Sequence, residues 1–250
     1  MGQLSSESTG SVLLAVHWEK RGEEAEISIG NKIFNFLRGP GVKFRWNKKN
    51  PVEVNICGKD SLLRGDPIKE GVRTWREVLK DKSLIDVELK EAQNYPPFTD
   101  LNFHCIQIVD NYLLEQDPRY IIRGITISIP SFGSGEIVDG DIFLFGREWV
   151  KEGGLLDFDL TKLTRHEFGH FLGLDHQFKI PSIMSYNKQD IYLTKYDYDA
   201  IEELYSEPPP APAKPTEKDQ LALTKRSGSQ SPEFSLFKAA QDNFLREGGH

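Results

Sequence analysis

The chain has 250 residues, 38% of them hydrophobic, enough for one sizeable core with an appendage and too few for several large domains. A formal charge of −7 and the lack of any Lys/Arg block argue against nucleic acid or an anionic membrane surface as the main partner, since both need a basic footprint. No run approaches the roughly 18 apolar residues of a membrane helix; the longest early one is only Val12–Val16.

In chain order, residues 1–10 are rich in Ser, Gly and Glu. The opening Met1-Gly2-Gln3-Leu4-Ser5-Ser6 fits the loose myristoylation pattern, and equally a secreted chain written without its signal peptide. The secreted or cell-envelope reading is preferred. Its variant is a lipoprotein in which Met1 replaces a lipid-bearing cysteine and Gly2–Gly10 serves as the tether. Val12–Val16 and Ile33–Leu37 are short apolar runs around the charged stretch Glu19–Glu26, and neither specifies an element. Residues 1–41 are therefore set apart as an N-terminal extension or tether.

From Val42 the signals sharpen. Val52, Val54 and Ile56 alternate with Glu53, Asn55 and Cys57, the pattern of a half-buried strand. Asp66-Pro67 reads as an N-cap followed by proline at the first helical position, and Ile68, Val72, Trp75 and Leu79 then recur on one helix face. Leu84–Leu89, Phe103–Val109, Ile121–Ile129 and Ile137–Phe145 are β-branched or aromatic runs bounded by Pro, Gly and Asp. Together these predict an α+β fold with a mixed sheet of about five strands. Asp159 is expected to cap a helix carrying Leu163, His166, His170 and Phe171, with Gly173 as its left-handed stop. Thr194 and Asp197 form a capping-box pattern for a last helix bearing Tyr198, Ile201, Leu204 and Tyr205. The main domain is thus 42–206. Residues 207–232 hold Pro208, Pro209, Pro210, Pro212 and Pro215 and read as a linker. In 233–250, Phe237, Ala240, Gln241, Phe244 and Leu245 are spaced to line a short helix that needs a surface to dock on, its own domain or a partner. Cys57 and Cys105 are too few for a disulfide scaffold; two buried thiols and a single bridge are weighted equally.

The chemistry concentrates in His166-Glu167-Phe168-Gly169-His170-Phe171-Leu172-Gly173-Leu174-Asp175-His176. Histidines four apart share a helix face, so both imidazoles can reach one zinc ion at about 2.0–2.1 Å. Gly173 turns the chain so that His176 can supply a third ligand. Three protein ligands leave the fourth position to water, the arrangement of a catalytic rather than a structural zinc. Glu167 is placed to act as general base on that metal-activated water and to pass the proton to the leaving amine. By chance this spacing arises in roughly one in 10⁵ chains of such length.

The pattern HExxHxxGxxH followed by Ser182-Ile183-Met184-Ser185-Tyr186 resembles the metzincin zinc metalloproteases with their methionine turn. Gly169, Leu172, Gly173 and Leu174 look like the matrixins, whereas Ser-Ile-Met-Ser-Tyr looks like the serralysins and astacins. Trp75, Gly140-Asp141-Ile142 and Leu204-Tyr205 suit the matrixin layout over Val42–Tyr205; Gln177 after the third His is not the residue typical of any of the main metzincin families, and the cysteine-switch prosegment of vertebrate matrixins has no match.

The resemblance implies a metzincin catalytic domain with a mostly parallel five-stranded sheet, acting as a zinc endopeptidase on protein or peptide substrates. It implies Met184 as an apolar floor beneath the ligands, and Tyr186 as a phenol able to donate to the oxyanion, against an equal reading as a core tyrosine. It makes the strand carrying Ile137, Val138, Asp139 and Gly140 the edge along which an extended substrate lies. Asp139 and Asp141 are the calcium candidates; a solvated turn is preferred there, because hard cations need six or more oxygens. Asn187–Leu193 is expected to shape the specificity pocket, and His17, His104 and His250 to be structural or incidental. The alternative function is a catalytically silent zinc-binding adhesin or interaction protein, against which the intact Glu167 weighs.

Overall fold

The computed structural model describes residues 13–20, 37–39, 42–47, 51–93, 103–109, 120–130, 134–145, 157–177, 180–185 and 192–206. The strands are β1 (Leu13–Lys20), β2 (Arg38–Gly39), β3 (Val42–Lys43), β4 (Arg45–Trp46), β5 (Val52–Cys57), β6 (Val87–Ala92), β7 (His104–Val109), β8 (Tyr120–Pro130) and β9 (Glu136–Phe145). The helices are α1 (Lys59–Leu63), α2 (Gly65–Asp81), α3 (Asp157–Phe171) and α4 (Lys195–Ser206).

The five expected strands are present as β5 to β9, but the sheet they build has seven, in the order β1-β8-β9-β7-β5-β6 with β4 on β9. β5–β6, β5–β7, β7–β9 and β4–β9 are parallel; β8 runs antiparallel to both β9 and β1. The two extra strands escape periodicity for different reasons. β4 has two residues, too few to show an alternation, and β1 reads LLAVHWEK, whose apolar half does not alternate. β5 also departs from the half-buried reading: only Glu53 is exposed, while on the same face Asn55 is buried, its Nδ2 donating to His104 O at 3.4 Å, and Cys57 is buried in its bond to Cys105.

α2 buries Ile68, Val72, Trp75, Val78 and Leu79 against the sheet and α3. It begins one residue before Asp66, with Arg64 at the N-cap and no side-chain cap bond, so Asp66 is a first-turn acid favoured by the helix dipole rather than the cap. Gly71 sets the crossing: a Cβ there would stand 2.8 Å from Thr164 Cβ and 2.9 Å from Thr161 O on α3. Trp75 Nε1 donates to Arg165 O at 2.7 Å across the same contact. α3 starts at Asp157, so Asp159 falls in its first turn instead of before it.

The end of α3 leaves carbonyls that no further turn can satisfy. Trp46 Nε1 donates to Phe171 O at 2.7 Å, Tyr205 Oη donates to Leu172 O at 3.0 Å, and Leu37 N–H donates to Gly173 O at 2.9 Å. Two core aromatics and an incoming backbone segment thereby close the helix. At the other end of the domain, the Thr194–Asp197 box is formed: Asp197 Oδ2 accepts the Thr194 N–H at 2.7 Å and its hydroxyl at 2.9 Å. Cys57 and Cys105 form a disulfide between β5 and β7, which resolves the two readings of that pair. No helix among the described residues is long and apolar enough to cross a membrane.

Candidate metal centre

α3 carries His166 and His170 on one face, and both are fully buried. Gly173, at φ 104°, reverses the chain immediately afterwards; a Cβ there would stand 2.2 Å from Phe44 O, so both the backbone angle and the space demand glycine. The reversal returns His176 to the same point. The three Nε2 atoms lie 3.0, 3.1 and 3.2 Å apart, the one group of His, Cys, Asp and Glu among the described residues that converges closely enough for a metal.

The protonation of this triad follows from its outer contacts. His166 Nδ1 donates to Ile183 O at 2.6 Å and His170 Nδ1 donates to Leu174 O at 2.8 Å. A carbonyl only accepts, so the proton of each neutral ring resides on Nδ1 and the Nε2 lone pair is bare. Burial, and then the neighbouring His170, hold His166 well below the usual histidine range, so it is neutral. Bare nitrogens cannot hydrogen-bond one another; a cation among them removes the conflict. A tetrahedron with bonds of about 2.0–2.1 Å has edges of about 3.3–3.4 Å, close to the separations observed, so the donor set fits zinc.

Glu167 has no solvent exposure. Its Oε2 accepts from Thr126 Oγ1 on β8 at 2.6 Å, and its Oε1 has no hydrogen-bond partner among the described residues. Burial pushes its carboxyl up to about 8, with Thr126 pulling the other way, in the absence of any ion; a divalent cation beside it favours the charged form. Gly124, also on β8, is the other wall: a Cβ there would stand 2.3 Å from Glu167 Oε1.

Met184 is buried directly beneath α3 at Gly169. Its turn is tied at both ends, since Gln177 N–H donates to Met184 O at 3.0 Å and Ser182 Oγ accepts the Met184 N–H at 2.9 Å. Ser182 in turn donates to Asp197, whose Oδ2 also accepts the Ile183 N–H at 3.3 Å, so the start of α4 anchors the carbonyl that orients His166. Asp197, Thr126 and Gly124 were not singled out from the sequence; only the capping-box spacing marked Asp197, and nothing local distinguishes Thr126 from any strand threonine.

Ile137, Val138, Asp139 and Gly140 are not on an edge. β9 is an interior strand: it pairs with β8 on one side, and on the other with β4 at Glu136 and Ile137 and with β7 from Ile142 onward. The antiparallel strand next to the metal centre is β8. Asp139 and Asp141 do not lie in a solvated turn either: both are buried on β9, Asp139 Oδ1 facing His104 Nδ1 at 3.0 Å and Asp141 Oδ1 accepting the Cys105 N–H at 2.8 Å. His104 is thus a structural partner, with its ring 4.7 Å from that of Trp46. Tyr186, the segment 187–191 and His250 lie outside the described residues, as does the side chain of His17. Of the expected specificity loop, Leu193 is buried, and exposed Tyr192 lies over the Arg165 guanidinium at 5.7 Å.

The sequence profile of the matrixin family matches residues 46–206, which span β4 through α4 and contain every residue of the triad. The chain belongs to the matrixin family. It is also 32% identical to matrix metalloproteinase-27 of Homo sapiens over 187 residues, 69% of this chain and 33% of that protein. The chain therefore spans about a third of the length of that matrixin. Zinc is the metal that the family implies, and the histidine triad offers a set of donors that could hold it.

Proposed function

We propose that this matrixin is a zinc-dependent endopeptidase in which His166, His170 and His176 hold the metal and Glu167 moves the proton. The observation that carries the reading is the convergence of three Nε2 atoms within 3.2 Å, two of them stripped of protons by backbone acceptors. The ion, when bound, supplies Lewis-acid polarisation of a peptide carbonyl and acidifies water. Glu167 Oε1, the free oxygen, takes the proton of the attacking water and returns it to the departing amine. Thr126 is the positioning residue, holding Oε2 so that Oε1 keeps its direction. A carboxyl buried on the Thr126 side and unsatisfied on the other has no evident structural use, which favours catalysis over a silent zinc-binding role. The Cys57–Cys105 bridge supports a secreted or cell-envelope location, since disulfides persist in oxidising compartments.

The test is metal content together with cleavage of a denatured protein, for wild type and Glu167→Ala in parallel. One zinc in each, with cleavage by wild type alone, is the expected result. Equal cleavage by the variant would remove Glu167 from the mechanism, and one zinc with cleavage by neither would transfer the reading to a binding protein.

A further inference from the structure

β8 is the strand that runs beside the proton-handling carboxylate, through Gly124 against Oε1 and Thr126 against Oε2. The opposite end of the sheet, β6, is separated from it by β9, β7 and β5. An extended peptide can be registered against this centre by main-chain bonds only along the edge of β8 that β9 does not use. That edge is taken. β1 lies along it antiparallel from Leu13↔Ser128 to Lys20↔Tyr120, with Ala15 opposite Thr126 and His17 opposite Gly124. At this point the ladder bulges: β8 contributes Arg123 as an extra residue between the rungs His17↔Gly124 and Trp18↔Ile122. A bulge sharpens the local twist and re-aims the strand that carries it, here at the residue beside Gly124.

We propose that β1 is a built-in competitor for the substrate strand: residues 13–20 occupy the edge of β8 that an extended peptide needs, and turnover requires β1 to leave. The proposal rests on the peptidase reading above. Among the described residues β1 pairs with β8 alone, whereas β5, β7 and β9 each have neighbours on both sides, so the release of β1 breaks one ladder and leaves the other strand pairings intact. An occupant on the same chain competes at an effective concentration on the order of millimolar, enough to suppress cleavage of substrates with ordinary affinities.

The test uses the full chain carrying Ala15→Pro with Val16→Pro. Neighbouring N–H groups in a strand point to opposite sides, so one of the two prolines removes a ladder donor whichever residue pairs with β8. Three quantities are read: kinetics on a quenched peptide, the thermal midpoint, and fluorescence anisotropy of a labelled peptide with the sequence of residues 13–20. The expected result is a rise in kcat/KM of about tenfold or more, carried by KM, at an unchanged midpoint, with the labelled peptide binding the variant at least about tenfold tighter than wild type. The milder pair Ala15→Gly with Val16→Gly loosens β1 without removing a donor, and should shift KM and peptide affinity the same way. Activity falling in step with the midpoint in both variants, or peptide affinity equal to wild type in folded variants, would overturn the proposal. If no form of the chain cleaves anything, the peptidase reading has failed, and the anisotropy alone still decides whether β1 covers a peptide site.

Discussion

Gly169 and Met184 occupy what would otherwise be one volume: a Cβ on Gly169 would stand 2.3 Å from Met184 Sδ and 3.2 Å from the Trp75 ring. Glycine at this position is therefore what lets the methionine lie flat against the ligand helix. Gly169→Ala should lower stability by about 1–3 kcal/mol through overpacking and weaken zinc affinity with it. Adding Met184→Ala should recover part of the loss, as expected of two groups in contact. Thermal unfolding with a zinc titration on the three variants checks this; additive losses would mean that the two residues do not share the space.

Thr126→Val removes the one hydrogen bond made to the Glu167 carboxylate. The buried acid then lacks a donor, at a cost of about 1–3 kcal/mol, while the three histidines are untouched. Zinc content should stay at the wild-type level while kcat falls and KM changes little, and Thr126→Ser should restore most of kcat. A change confined to KM would contradict a positioning role.

Stripping the metal should cost folding stability as well as activity, because the bare Nε2 lone pairs of His166 and His170 are left buried 3.2 Å apart. At a free zinc concentration of about a thousand times Kd, bound metal adds about 4 kcal/mol to the native state. A chelator should lower the thermal midpoint and zinc should restore it, whereas calcium should not, since the converging donors are imidazole nitrogens. Restoration by calcium would point to a second, oxygen-based site.

The Cys57–Cys105 bridge closes a loop with a sequence separation of 48 between two interior strands. Loop-closure entropy puts its contribution at about 4 kcal/mol, and measured losses for native bridges run about 2–5 kcal/mol. Cys57→Ser with Cys105→Ser should shift the denaturant midpoint by a corresponding amount and make it insensitive to reductant. An unchanged midpoint would show that the strands are registered without the bridge.

The convergence of His166, His170 and His176 was legible because it is local. Two of the histidines lie one helical turn apart, the third follows a glycine whose φ of 104° the sequence pattern anticipates, and the whole set spans eleven consecutive residues. The strand carrying Ile137–Gly140 was misread as an edge because strand order is not local. Nothing within Ile137–Gly140 tells that β8 runs along it and that β4 pairs at Ile137, or that Thr126 of β8 meets Glu167 across 41 residues. Asp139 and Asp141 resembled a turn for the same reason: their partners, His104 and Cys105, are brought to them by sheet register. Leu13–Lys20 carried no clear periodic signal, because its apolar residues run consecutively from Leu13 to Val16.

The closure of α3 by Trp46 and Tyr205 ties the geometry of the histidine triad to residues outside it. The indole is 125 residues from the carbonyl it caps and the phenol 33, yet both fix the point at which the chain leaves the helix and turns back with His176. A random-mutagenesis screen scored only for loss of bound zinc should accordingly return Trp46 and Tyr205 alongside the histidines, and would mistake two packing residues for ligands unless folding were scored in parallel.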